Sequence, residues 1–393
     1  METFPLQEQD EAMASGRVAG YKFYLRQRPT MLVLLSILAV IFFLCVTGLS
    51  RVYHAQRTSV GDRWFSRGVA DLNAKHYEAA VTDFRAALLY SRDEYSYQLK
   101  LAEALIGLRH TGQAFAYLLN LRDREPDNGL VNLELARIVA QRGQIDQAVR
   151  YYHNAVYAAW PPGEENNRRN ARLELIDLLL QAKLQGDAQA ELMALAAGAS
   201  DEPSLKQTGD LFIRAGDYEG ALEAYRAILN TDDHNAAALA GAGNAAFQLG
   251  RYPVAQQYLQ SAIHVNPNDT DSAQRLQMTE MVLRIDPFRS QISTAARNKD
   301  VVDAFSTAGE RLNTCRLPRR DTFGTTGSAP PLNDEWTNLK PQITEAGLRR
   351  KPDLAQTAMD LVFRIERHTS NVCGTPTGPD LALLLIAKLH EGS

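Results

Sequence analysis

The sequence predicts an all-α protein: a repetitive helical body that follows one membrane-spanning helix and ends in a smaller helical module. Three observations carry this reading. A run of nineteen uncharged residues stands at 31–49. Between residues 61 and 283 the chain restates one pattern at a step of 34 residues. From about residue 285 that step is lost, while apolar residues keep a helical spacing.

Composition narrows the functional classes. The 393 residues are 45% apolar and 22% charged, ordinary for a globular chain and too apolar for bulk disorder. Its 42 basic and 46 acidic side chains leave a net charge of -4, so there is no basic excess to neutralise phosphates, and nucleic acid is not an expected partner. The three cysteines, Cys45, Cys315 and Cys373, share no CxxC or CxxCH spacing, which argues against zinc, thioredoxin-like and covalent-haem sites. No cofactor and no metal is expected.

Residues 1–29 read as a polar N-terminal tail and 30–50 as a transmembrane helix. Its apolar run, MLVLLSILAVIFFLCVTGL at 31–49, contains only Ser36 and Thr47 as polar side chains. Nineteen helical residues span roughly 28 Å, close to the thickness of the hydrocarbon core. A signal peptide has an apolar core of about 7–15 residues after a short basic stretch, so a retained signal-anchor fits better, although Val46 and Gly48 could imitate a cleavage site. Orientation is weakly encoded. Arg17, Lys22, Arg26 and Arg28 precede the span, and Arg51, Arg57, Arg63 and Arg67 follow it. Nearest the membrane the N-terminal side leads by three to two, so the expectation is a cytoplasmic N-terminus with the body on the extracytoplasmic, periplasmic side.

The repetitive body comes next. A small residue is followed twelve positions later by alanine in the pairs Gly68/Ala80, Ala102/Ala114, Ala136/Ala148, Gly209/Ala221 and Gly243/Ala255. Four residues after each alanine stands a large side chain: Phe84, Leu118, Tyr152, Tyr225 and Leu259. A degenerate fourth unit, about 171–201 with Gly186 and Ala190, follows the insertion WPPGEENNRR, whose Glu164-Glu165 and Arg168-Arg169 read as a solvated loop.

This pattern resembles the tetratricopeptide repeat, whose 34-residue consensus is W-x2-L-G-x2-Y…A-x3-F…P. The first unit supplies Trp64, Gly68, Tyr77, Ala80, Phe84 and Ala87; the sixth supplies Gly243, Gly250, Tyr252, Ala255, Ala262 and Pro267. The resemblance covers 61–283 and implies about six antiparallel helix pairs, with residues 270–283 as a capping helix. Small residues at Gly68, Ala102, Ala136, Gly209 and Gly243 let paired helices approach, and Gly143, Gly216 and Gly250 suit the turn between them. One pair cannot bury its apolar face alone, so neighbours stack into a superhelix with a concave groove.

By the same resemblance, the groove is lined from the first helix of each unit and receives a protein segment. The corresponding positions are Phe65 and Val69, Leu99 and Glu103, Leu133 and Arg137, Lys206 and Asp210, then Asn244 and Phe247. The paired lysine and asparagine that chaperone-binding members use as a carboxylate clamp are not found. The mixed set suits an extended or helical segment of some acidic character.

Residues 286–393 read as a C-terminal all-α module, with LPRRDTFGTTGSAPPLND as a long loop. Val301, Val302, Phe305, Ala308 and Leu312 share one helix face; Leu354, Ala358, Leu361, Val362 and Ile365 share another, behind Pro352. Pro379-Asp380 opens the last helix, and its apolar run is too short to cross a membrane. Cys315 and Cys373 stand 58 residues apart and are a possible disulfide if the body meets an oxidising compartment; buried free thiols are the alternative.

Catalytic chemistry finds no foothold. His368 and Cys373 would be the best thiol–imidazole pair, but no motif surrounds Cys373. GTPTG lacks the GK[ST] of a phosphate loop, and His76 and His110 recur at the turn between repeat helices. The expected function is a membrane-anchored, non-catalytic scaffold or adaptor for protein–protein interaction in an envelope or membrane-complex assembly. The alternative is an enzymatic C-terminal module to which the repeats recruit substrate.

Overall fold

The computed structural model describes the backbone of residues 8–316 and 332–390, and the side chains of 31–53, 56–315 and 332–390. Eighteen α-helices and no β-strand occur among the described residues, so the fold is all-α. The chain forms two compact units, residues 1–171 and 172–393.

The first unit opens with helix α1 (Glu8–Asn73), 66 residues long. The expected tail, span and first repeat helix are therefore one element over the described residues, not three, and residues 1–7 lie outside the description. No proline or glycine pair interrupts the stretch from 50 to 60, which leaves the helix nothing to kink on. The apolar residues from Met31 to Leu49 face outward, with Leu32, Phe42 and Leu49 all more than 60% exposed. Three pairs follow from α1: it packs on α2 (Tyr77–Tyr90), α3 (Tyr95–Gly107) packs on α4 (Thr111–Arg124), and α5 (Gly129–Gln141) on α6 (Ile145–Tyr157).

The second unit takes most of α7 (Glu165–Gln181), which begins a fourth pair with α8 (Gln185–Ala197). Then α9 (Glu202–Ala215) pairs with α10 (Tyr218–Leu229), and α11 (Ala236–Gln248) with α12 (Tyr252–Val265). Side chains cap the helix starts: Asp201, Asp217 and Asn235 each accept from the backbone N–H three residues on, at 3.0 Å.

The same turn closes all six pairs. Lys75, Arg109, Gly143, Lys183, Gly216 and Gly250 are left-handed, with φ between 60° and 78°. The Lys75 N–H donates to the Leu72 carbonyl at 2.9 Å and the His76 N–H to Asp71 at 2.8 Å; at Gly216 and Asp217 the partners are Ile213 and Phe212. These two bonds satisfy carbonyls that the helix end would orphan. Three turns use glycine as expected, and three do not. A non-glycine residue there costs about 1–2 kcal/mol. Burying one large apolar side chain stabilises by about 1.5–3 kcal/mol, and each pair buries such a residue at a fixed distance from the turn, so packing wins.

That residue stands nine positions after the turn: Phe84, Leu118, Tyr152, Leu192, Tyr225 and Leu259, none more than 4% exposed. The small residues opposite explain the close approach. A Cβ added at Gly68 would meet Phe84 at 2.7 Å, at Gly209 Tyr225 at 2.8 Å, and at Gly243 Leu259 at 2.7 Å. The fourth unit corrects the sequence reading. Its alanine is the fully buried Ala188, not the exposed Ala190, and its large residue is Leu192. Gly186 lies inside α8, because Lys183 makes the turn. The insertion is likewise not all loop: Glu165 to Arg169 form the first turns of α7, and the Trp160 indole N–H donates to the Ala155 carbonyl at 2.7 Å.

Beyond the sixth pair come α13 (Thr270–Ile285), α14 (Thr294–Arg316), α15 (Leu332–Leu339), α16 (Glu345–Arg350), α17 (Asp353–Cys373) and α18 (Gly378–Leu389). The expected break near residue 286 does not divide the core. Tyr252 of α12 and Val282 of α13 share one apolar cluster with Val301, Phe305, Val362 and Ile386. Accordingly α13 is covered by α18 and is not a terminal cap. Of the expected long loop, residues 317–331 lie outside the description, whereas Leu332 to Asp334 already belong to α15. Trp336 of α15 stacks on Phe305 with ring centroids 5.7 Å apart and donates to its carbonyl at 3.1 Å. Cys315 and Cys373 are joined by a disulfide, their Cα atoms 5.9 Å apart.

Candidate functional site

Eight of the ten groove positions separate into two sets; of the other two, Leu133 is buried and Val69 half-buried. In the first unit, Phe65 packs between Phe84 and Tyr97, at centroid distances of 5.7 and 4.7 Å. Leu99 is half-buried. Glu103 accepts from Lys100 at 2.8 Å, and Arg137 donates to Glu134 at 2.6 Å, each one helical turn away. Phe65 thus packs against neighbouring rings, while Glu103 and Arg137 are each paired with a charge of their own helix.

In the second unit the corresponding positions surround open space. Lys206 and Asp210 on α9 and Asn244 on α11 line a cavity of about 380 Å³ together with Tyr225, Gly241 and Arg275. Phe247 lines an adjoining cavity of about 360 Å³ with Gln274, Arg275, Met278 and Leu381. The helix rows place these side chains on one face: 206 and 210 are one turn apart, and 244 stands 34 residues after 210.

Its polar groups form a chain with one open end. The Tyr225 hydroxyl donates to Asp210 Oδ1 at 2.7 Å, and Lys206 Nζ reaches Asp210 Oδ2 at 2.7 Å. Burial raises the Tyr225 pKa, and the hydrogen bond and negative charge of Asp210 raise it further, so the phenol remains a donor. Arg214 pairs with Asp177 at 2.8 Å. Asp269 caps α13 by accepting from Ser272 N–H at 3.0 Å, and Ser272 holds its carboxyl below the ordinary value. Asn244 Oδ1 is buried and has no hydrogen-bond partner among the described residues. An orphan acceptor of this kind costs about 1–3 kcal/mol until an N–H reaches it. The face thus offers an acceptor for an N–H, an arginine, and the apolar surfaces of Phe247 and Met278.

The residues of α13 were not anticipated, because that helix read as a cap. Yet one further step of 34 leads from Ala240 to Gln274 and from Asn244 to Met278, both lining the second cavity. The repeat spacing therefore contained the signal.

The C-terminal helices hold a second set of ionisable groups. Glu366 on α17 is fully buried, with Arg311 Nε 3.5 Å from its carboxylate. Burial pushes its pKa up to about 8; the facing Asp380 adds to the rise and Arg311 opposes it. Arg311 also donates to Thr369 Oγ1 and to the Gly374 carbonyl, both at 2.9 Å. Cys373 is not available as a nucleophile partnered with His368, because its sulfur is bonded to Cys315. No cluster of metal-ligating side chains occurs among the described residues.

Two family models described as tetratricopeptide repeat match the chain, over residues 99–164 and 212–277. Solved structures similar to it include YrrB, a TPR protein with an unusual peptide-binding site. That likeness is 16% identical, covers 48% of this chain and 95% of YrrB, and has a TM-score of 0.38. The Pseudomonas aeruginosa pilF protein is 16% identical over 57% of this chain and 98% of its own, with a TM-score of 0.38. PilW, a widely conserved type IV pilus biogenesis factor, is 18% identical over 56% and 98%, with a TM-score of 0.37. No curated protein matches the chain.

Proposed function

We infer the function from the family to which the chain belongs, the tetratricopeptide-repeat proteins: it is a membrane-anchored, non-catalytic scaffold that holds a segment of a protein partner on its second unit. The observation that carries this is the convergence of Lys206, Asp210, Asn244 and Phe247 with Arg275 and Met278 around two adjoining cavities. Asn244 Oδ1 takes an N–H of the bound segment, Arg275 meets an acidic group, and Phe247 and Met278 take an apolar side chain. The exposed apolar stretch 31–49 supports a membrane anchor, since a surface of that size is favourable only in lipid or a partner. Residues 1–29 are then cytoplasmic and the body periplasmic, where a Cys315–Cys373 disulfide persists. The role is in an envelope or membrane-complex assembly.

Co-purification from detergent-solubilised membranes tests the reading. Asn244→Leu combined with Arg275→Glu should reduce recovery of the wild-type partner by at least about tenfold, 1.4 kcal/mol or more, with a melting temperature no lower than that of wild type. Equal recovery of every partner would remove the face from consideration. Maleimide labelling of an introduced cysteine at exposed Ser66 in intact cells tests the side of the membrane.

A further inference from the structure

The second helix of the fourth pair lacks a side chain that most others have. Thirteen residues after the turn, five pairs carry Leu88, Arg122, Val156, Leu229 and Ile263, whereas α8 carries Ala196. A cavity of about 660 Å³ opens there between α8 and α10. Its floor is apolar, formed by Ala196, Leu205, Phe212 and Ala224, and Met193 stands at its edge, 63% exposed. The charged side chains that line it are all acidic: Asp217, Glu219 and Glu223. Asp217 caps α10 and Glu219 meets Arg251, while Glu223 is exposed. The trough uses Leu205 and Phe212 of α9, well round the helix from Lys206, Asp210 and Ile213. It is therefore separate from the face described above.

We propose that this trough docks the apolar side of an amphipathic helix of a second protein, one whose flanking residues are lysine or arginine. A trough between two helices matches a third helix in shape, because ridges of side chains lie along such grooves. Alanine at 196 lets that helix approach, and Phe212, Leu205 and Met193 supply the apolar contact. The rim fixes the sign of the partner: with Glu219 paired to Arg251, the exposed Glu223 sets the charge, so acidic flanks would face a like charge and basic ones complement it.

The test uses the full chain in its native membrane with a photo-crosslinking residue at Met193. The crosslinked peptide is mapped by mass spectrometry. An adduct to a helical segment of another protein, apolar on one side and flanked by lysine or arginine, is expected. Ala196→Leu, which restores the side chain typical of the other pairs, should reduce that adduct at least about tenfold; Glu223→Lys should weaken it as well. Arg275→Glu should leave it unchanged, which separates this inference from the partner segment proposed for α9, α11 and α13. No adduct, an adduct to another copy or another segment of this chain, or a mapped peptide with acidic flanks would overturn the assignment. So would an adduct indifferent to Ala196→Leu, once circular dichroism shows that variant folded.

Discussion

The first helices of the third and sixth pairs occupy equivalent repeat positions and use them in opposite ways. In α5, Glu134 stands one turn before Arg137 and holds it at 2.6 Å. In α11 the equivalent of Glu134 is Gly241, and the equivalent of Arg137 is Asn244, whose oxygen is left without a partner among the described residues. The glycine also leaves room for the ring of Tyr225, which an added Cβ would strike. So the repeat fixes where a side chain stands, and its neighbour one turn earlier decides whether it is satisfied at home or open to a partner. Lys100 and Glu103 on α3 repeat the closed arrangement.

The largest effect should come from breaking the spacing that makes the positions equivalent. Gly243→Leu drives a side chain into Leu259 and should cost several kcal/mol, above the usual overpacking range of about 1–3. A melting temperature within a degree of wild type would contradict the packing. Gly241→Lys comes next, because it gives α11 the side chain that α3 has at Lys100. Displacing Tyr225 should cost about 1–3 kcal/mol, and partner recovery should fall at least about tenfold. Retained recovery would mean that the open acceptor at Asn244 is not used.

A third comparison is by titration. Folded Glu366 keeps its proton up to about pH 8, against an ordinary value of 4.5. Between those values the folded state binds more protons than the unfolded one, so stability falls as pH rises. Denaturant melts from pH 5 to 9 should show this fall in wild type, with Asp380, also raised by burial, acting in the same sense. Glu366→Gln should flatten it; a slope unchanged by that substitution would assign the titration to other groups. The smallest effects concern the turns. Arg109→Gly should stabilise by up to about 1 kcal/mol and Gly143→Ala should destabilise by about 1–2, the added Cβ at 143 meeting nothing within 4 Å. Equal responses at the two sites would show that φ is not the controlling variable.

These pairs also explain what could be read from sequence. The alanines at 80, 114, 148, 221 and 255 were legible because close helix approach leaves few alternatives, and all five are fully buried. The fourth pair was misplaced by two residues because Lys183 hides a turn that glycine would announce. The contacts of Phe65, Glu103 and Arg137 with Tyr97, Lys100 and Glu134 were not legible, because a pattern of single positions does not contain them. In the last part of the chain, the faces of α14 and α17 were plain from apolar spacing. The short α15 and α16 were not, since α15 is fixed by Trp336 lying against Gly309 rather than by periodicity. Nor does a separation of 58 residues between two cysteines say how near their Cα atoms lie.

The unbroken run of α1 has a mechanical consequence. From Leu49 at the end of the apolar stretch to Phe65 in the first pair the helix is continuous; with 31–49 as the proposed membrane anchor, it would hold the first repeat about 24 Å above the hydrocarbon edge. A flexible tether would fix only a maximum reach; a helix also fixes azimuth. One residue inserted between 50 and 60 would lift the first repeat by about 1.5 Å and turn it by about 100° about the anchor axis. Seven residues would lift it by about 10 Å and return it nearly to its starting phase. In a membrane assembly whose partner is itself anchored, activity should therefore oscillate with insertion length, as it does for a shaft and not for a rope.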